Sequence, residues 1–147
     1  MLEDIIKEKI SADHLFYVSL KYTKTCDVIV NLLLRWKIMI DFSVDALLKH
    51  AKNKKKIARI PMTPRQRIDK IKEIFKKDQN IMKAIELYEM FRQIETLEKK
   101  RECEFRKNVN LKVIYQGQEI NINLDMLKEY AAILERFISS LKQFLSI

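Results

Sequence analysis

The chain has 147 residues, of which 48% are hydrophobic and 33% charged, with one Gly, two Pro and a net charge of +9. Such a length and apolar content suit one domain with a core of its own, and the scarcity of Gly and Pro excludes flexible linkers, collagen-like repeats and a turn-rich β-sandwich. With a single Gly the chain carries neither a P-loop nor a dinucleotide-binding fingerprint.

The opening stretch MLEDIIKEKI begins with acidic residues and has no unbroken apolar run, so it does not read as a secretory signal. Leu2–Ile10 reads as a short amphipathic lead-in. Ser11 is then placed to cap a helix running to about His50, because Leu15, Phe16, Leu20, Ile29, Leu32, Leu33, Trp36, Ile40, Val44, Leu47 and Leu48 recur mostly at helical intervals. That span is long for one straight helix, and a kink or break is expected near Thr23–Thr25 or Asp41–Ser43. Its most apolar part, Val28 to Phe42, is interrupted by Asn31, Arg35, Lys37 and Asp41. It falls short of the roughly 20 apolar residues of a membrane span and reads as a buried helix.

Thr63-Pro64-Arg65-Gln66 combines an N-cap hydroxyl, a Pro at the first helical position and a Gln three residues after the cap, which marks a helix start. This helix carries Ile68, Ile71, Ile74 and Phe75 on one face and should stop near Lys77. Asp78 caps a longer one through Met82, Ile85, Tyr88, Phe91, Ile94 and Leu97 to about Phe105. Leu111–Tyr115 and Glu119–Ile122 flank Gln116-Gly117-Gln118, the pattern of a β-hairpin. Asn123 caps the last helix, whose Leu127, Tyr130, Leu134, Phe137, Ile138, Leu141 and Phe144 form an apolar stripe. No internal repeat is visible. The expected architecture is an all-α bundle of about four to five helices with a small β-hairpin before the last, a single domain over residues 1–147.

The two cysteines, Cys26 and Cys103, are too few and too far apart for a zinc set. Both read as small packing residues, kept as thiols in the reducing cytoplasm where the chain is expected to reside. His14 and His50 belong to no metal-spaced set, and no metal or cofactor is expected.

The excess charge is concentrated. Residues 51–72 hold nine bases and one acid, so eight of the nine net charges lie in this inter-helix segment. The bases are Lys52, Lys54, Lys55, Lys56, Arg59, Arg65, Arg67, Lys70 and Lys72. Cations after His50 suit the negative end of the preceding helix, which accounts for Lys52 and in part Lys54. Arg65, Arg67, Lys70 and Lys72 instead follow a helix start, where the dipole disfavours cations. A polyanion outside the chain is the reading that accommodates them, against a solvated face, an acidic protein partner or a membrane surface. The segment contains no Phe, Tyr or Trp, so contact with phosphates rather than base stacking is expected.

The stretch from Tyr88 through Arg92, Arg101 and Arg106 to Asn108 and Asn110, followed by the final amphipathic helix, resembles the C-terminal half of HEPN-type helical domains over about residues 80–145. That resemblance implies a helical bundle that commonly dimerises, in a family with many RNases and partners of nucleotidyltransferases. The family's active motif is an Arg followed after four to six residues by a His. Arg101 and Arg106 could each fill the Arg position and Asn110 a polar position, but no His follows either Arg. The resemblance therefore implies a degenerate member that binds without cutting. An enzyme would need a general acid or base near Arg106, for which Glu102, Glu104 and Tyr115 are the nearest residues.

These observations lead to a non-catalytic module that binds DNA or RNA through its phosphate backbone. The alternatives are a HEPN-like RNase or toxin-type enzyme and an interaction subunit with an acidic protein partner. A homodimer is expected from the apolar final helix and from Trp36, Met39 and Ile40, which a small bundle would leave partly uncovered.

Overall fold

The computed structural model describes residues 2–145. The chain begins with α1 (Leu2–His14), passes without interruption through a π-helical turn (Leu15–Ser19) and ends this run in the short α2 (Leu20–Tyr22). Leu20 N–H donates to the Leu15 carbonyl, the i→i−5 bond that widens the helix at this point. Ser11 therefore lies inside a helix and caps nothing. The break falls at Thr23–Thr25, where Thr23 and Thr25 turn extended and the Thr25 hydroxyl accepts from Val28 N–H at 3.3 Å to start α3 (Cys26–Asn53). The expected single long helix is thus two antiparallel arms, and α1 packs along α3.

Three further caps are side-chain oxygens on backbone donors, each satisfying an orphan N–H of a helix start. Thr63 accepts from Gln66 N–H at 3.2 Å and opens α4 (Pro64–Ile74). Asp78 accepts from Asn80 and Ile81 N–H and opens α5 (Gln79–Phe91). Asn123 accepts from Met126 N–H at 2.9 Å and opens α6 (Leu124–Leu145).

Helix α5 stops at Phe91 rather than near Phe105, because the chain turns after Arg92 and the Lys99 ammonium gathers the freed carbonyls of Ile94, Glu95 and Leu97. Lys99–Glu102 is then a strand, β1, which pairs antiparallel with β2 (Asn110–Tyr115), itself paired with β3 (Gln118–Asn123). The expected hairpin is real but is two-thirds of a three-stranded meander of order β1-β2-β3. Its turn is Gln116-Gly117, both at positive φ (52° and 75°), as the two-residue type I′ turn demands. Leu111, Val113 and Ile122 bury the inner face, while β1 presents Lys100 and Arg101 along an outer edge, a charged edge of the kind that discourages further strand pairing.

Helix α3 is the centre of the molecule and touches α1, α4, α5, α6 and β2. Trp36 of α3 stacks on Phe91 of α5 with ring centroids 6.0 Å apart, and Phe91 meets Tyr130 of α6 edge-on at 5.7 Å. Trp36, Met39 and Ile40 are all buried in this layer rather than partly uncovered. Cys26 packs as expected, its thiol donating to the Asn110 carbonyl at 3.3 Å, whereas Cys103 is exposed in a left-handed position (φ 54°) of the β1–β2 loop. No helix among the described residues is long and apolar enough to cross a membrane.

Candidate nucleic-acid interface

The nine cations of residues 51–72 fall into two groups. In α4, Arg65 bonds Glu89 at 3.2 Å and Asp69 at 2.9 Å, Arg67 bonds Asp45 at 3.1 Å, Lys70 bonds Glu73 at 3.2 Å and Lys72 bonds Glu89 at 2.5 Å. All four therefore find acids within the chain, and not all stand at a helix start: Arg65 and Arg67 do, whereas Lys72 lies in the last turn of α4, where the dipole favours a cation. Asp45 on α3 and Glu89 on α5 are distant in sequence but lie beside α4, and they compensate the unfavourable dipole.

The other group behaves differently. Among the described residues, Lys52, Lys54, Lys55, Lys56 and Arg59 have no carboxylate within ion-pair distance, and all five are exposed. They sit where α3 ends in a Schellman arrangement. Lys56 N–H donates to the Ala51 carbonyl at 2.9 Å and Lys55 N–H to the Lys52 carbonyl at 3.0 Å, with Lys54 as the cap. The position after the cap requires positive φ and is usually Gly, yet here it is Lys55 at φ 61°. A lysine is thus held in a conformation that costs a side-chain-bearing residue about 1–2 kcal/mol.

Lys56 also borders two adjacent clefts. One, of about 1300 Å³, runs between the α3–α4 connection and α4 past Lys52, Arg59 and Lys70. The other adds Lys76 and Lys77 at the end of α4. These two lysines, likewise exposed and without a carboxylate partner among the described residues, extend the field, although sequence reading closed the basic segment at Lys72. The Lys-Lys pair just before the Asp78 cap is the signal that could have found them. Together the unpaired cations form a ridge in which Met62 is the only exposed large apolar side chain among the described residues.

No family model, curated protein or solved structure matches this chain. The reading therefore rests on the side chains themselves.

The three residues of the family resemblance are scattered among structural roles. Arg101 lies on β1 and bonds Asp27 at the start of α3 at 2.6 Å, with Glu104 at 3.6 Å. Arg106 is exposed in the β1–β2 loop, and Asn110 opens β2, donating to Glu102 and Asn121 at 2.9 Å each. The Asn110 bond, opposed by some desolvation and aided by Lys112 and Lys100, holds the Glu102 carboxyl below its ordinary value. Desolvation, with Glu89 next, pushes the Tyr115 phenol up. Both shifts move away from neutrality, the wrong direction for a general acid or base at pH 7. Glu104 is engaged at the start of α3, its carboxylate accepting from Cys26 N–H at 3.3 Å. No three His, Cys, Asp or Glu side chains among the described residues group as a metal set.

Proposed function

We propose that the protein is a non-catalytic, cytoplasmic module that binds nucleic acid through phosphates, using Lys52, Lys54, Lys55, Lys56, Arg59, Lys76 and Lys77. The observation that carries this is Lys55. At a left-handed position where glycine is the usual residue, Lys55 keeps an exposed ammonium with no acidic partner among the described residues, beside Lys54, Lys56 and Arg59 in the same state. Among the described residues the surrounding cations are unpaired with acids, and the aromatics beside Lys56, Lys76 and Lys77 are the buried Phe75 and the half-buried Phe144 packed edge-on against it, so contact is to the backbone rather than to bases. The exposed free thiol of Cys103 suits a reducing compartment. Within the HEPN-like resemblance this is a degenerate member, in which Arg101 serves the fold through Asp27 rather than a reaction.

The test is anisotropy of labelled duplex DNA and of structured RNA against salt concentration. The wild type should bind with an affinity that falls linearly on a log–log plot. The Lys54→Ala, Lys55→Ala, Lys56→Ala, Arg59→Ala variant should keep its circular dichroism, bind far more weakly, and lose about 0.9 of slope per duplex phosphate contact removed. Weakening should be equal across sequences, since phosphates carry no base information. Binding by the variant equal to that of the wild type would remove the reading.

A further inference from the structure

An apolar trough of about 510 Å³ runs between the π-helical turn and α6. Its walls are Phe16, Tyr17 and Leu20 on one side and Leu124, Ala131 and Ala132 on the other. The π turn carries both Phe16 and Tyr17 to this edge, with rings 4.8 Å apart, and Tyr17 remains 61% exposed although it lies over an apolar floor. A widened turn of this kind is common where helices form binding sites.

At one end the trough opens into a polar cleft, and Lys24, Leu124 and Lys128 border both. The cleft adds Lys107 and the amides of Asn108, Asn121 and Asn123. Charge there is one-sided. Lys21, Lys24, Lys107 and Lys128 have no carboxylate partner among the described residues, and the Lys24 ammonium touches only the Lys21 carbonyl, at 2.6 Å. Of the acids, Glu102 is occupied by Asn110 and Lys112, and Glu135, which also lines the trough, by Lys9 at 2.7 Å. Among the described residues lining trough and cleft, Asp125 is the one acid without a cationic partner, and it stands in the first turn of α6, where the helix dipole is positive.

We infer that this joined trough and cleft bind a single-chain amphiphile with an anionic head, a long-chain carboxylate, with the chain along Phe16, Leu20, Leu124 and Ala131 and the head between Lys24 and Lys128. The trough's volume lies in the range of small-molecule sites, roughly 300–1,000 Å³. A second copy of the chain is disfavoured by charge, because an isologous contact would set two copies of the same lysine-rich surface together. This site shares no residue with the basic ridge of α3.

The experiment is calorimetric titration of the full chain with monomeric dodecanoate and, separately, with dodecanol. Saturable one-to-one binding of dodecanoate is expected, with dodecanol at least tenfold weaker. Lys24→Glu with Lys128→Glu should lower dodecanoate affinity at least tenfold and leave dodecanol unchanged. Ala132→Trp, at an exposed position that leaves the core intact, should abolish both by filling the trough. Absence of saturable dodecanoate binding would overturn the inference. So would equal affinity for the two ligands, or association with anionic vesicles without any binding of the free monomer.

Discussion

Arg67 at the start of α4 reaches Asp45 on α3 across 3.1 Å, and this pair holds the helix after the basic loop against the central one. The bond is partly exposed, so Arg67→Ala should cost only about 0.5–1 kcal/mol in a urea melt. It should leave nucleic-acid binding and its salt slope unchanged, because the charge is already spent inside the molecule. A loss of binding comparable to that of the Lys54–Arg59 variant would put Arg67 back in the interface.

The same pair sets a pH dependence. Desolvation opposes the charged form of Asp45, but the bonds from Lys49 and Arg67 outweigh it and hold the carboxyl below its ordinary value. A depressed folded value means the contribution is present above the unfolded value of about 3.9 and is lost as pH falls through the folded one. Asp45→Asn should therefore be less stable than the wild type at pH 7. The two urea midpoints should converge as the pH drops below about 3.9.

Lys55 offers a sharper test, because stability and binding should move in opposite directions. Lys55→Gly relieves the left-handed strain and should stabilise the fold by about 1 kcal/mol. It also removes one cation, so the log–log salt slope on duplex DNA should fall by about 0.9. Stabilisation without any change of slope would show that Lys55 makes no phosphate contact.

The β2–β3 turn can be improved independently. At Gly117 an added Cβ would meet nothing within 4 Å, so the cost of Gly117→Ala is conformational alone, about 1–2 kcal/mol at φ 75°. Gln116 tolerates its own left-handed conformation poorly, and Gln116→Asn should raise the melting temperature, since Asn-Gly suits this turn best.

Thiol labelling should separate the two cysteines. Cys103 is exposed and should react with a disulfide reagent within minutes in the folded protein. Burial pushes the Cys26 thiol up to about 11, and it should react only on unfolding. Mass spectrometry of the labelled peptides distinguishes them. Fast labelling of Cys26 would mean that the start of α3 opens locally.

Most of the helical architecture was legible because it is locally encoded. Thr63, Asp78 and Asn123 cap the helices they were expected to cap, the break fell at Thr23–Thr25, and Gly117 marked its turn. Strand β1 escaped because Lys99-Lys100-Arg101-Glu102 has no apolar alternation: it is an edge strand held by backbone bonds to β2. Ile94 and Leu97 continued the helical spacing of α5 while serving the turns beyond it, so period alone could not locate its end. The basic segment was legible as charge but not as a surface. The partners that neutralise its second half, Asp45 and Glu89, are near it only in three dimensions. The trough was invisible for the same reason, since its walls are separated by most of the chain.

The antiparallel run of α1 against α3 and the meander of β1, β2 and β3 both join segments adjacent in the chain. Helix α6 instead closes over α3 and α5, which precede it by many residues, as α5 also does over α3. During synthesis it emerges after the elements it covers, and until it does, the Phe91 edge that Tyr130 covers faces water. The nascent chain therefore carries an open core between the emergence of Phe91 and that of α6, and that interval is when a chaperone would find most to hold.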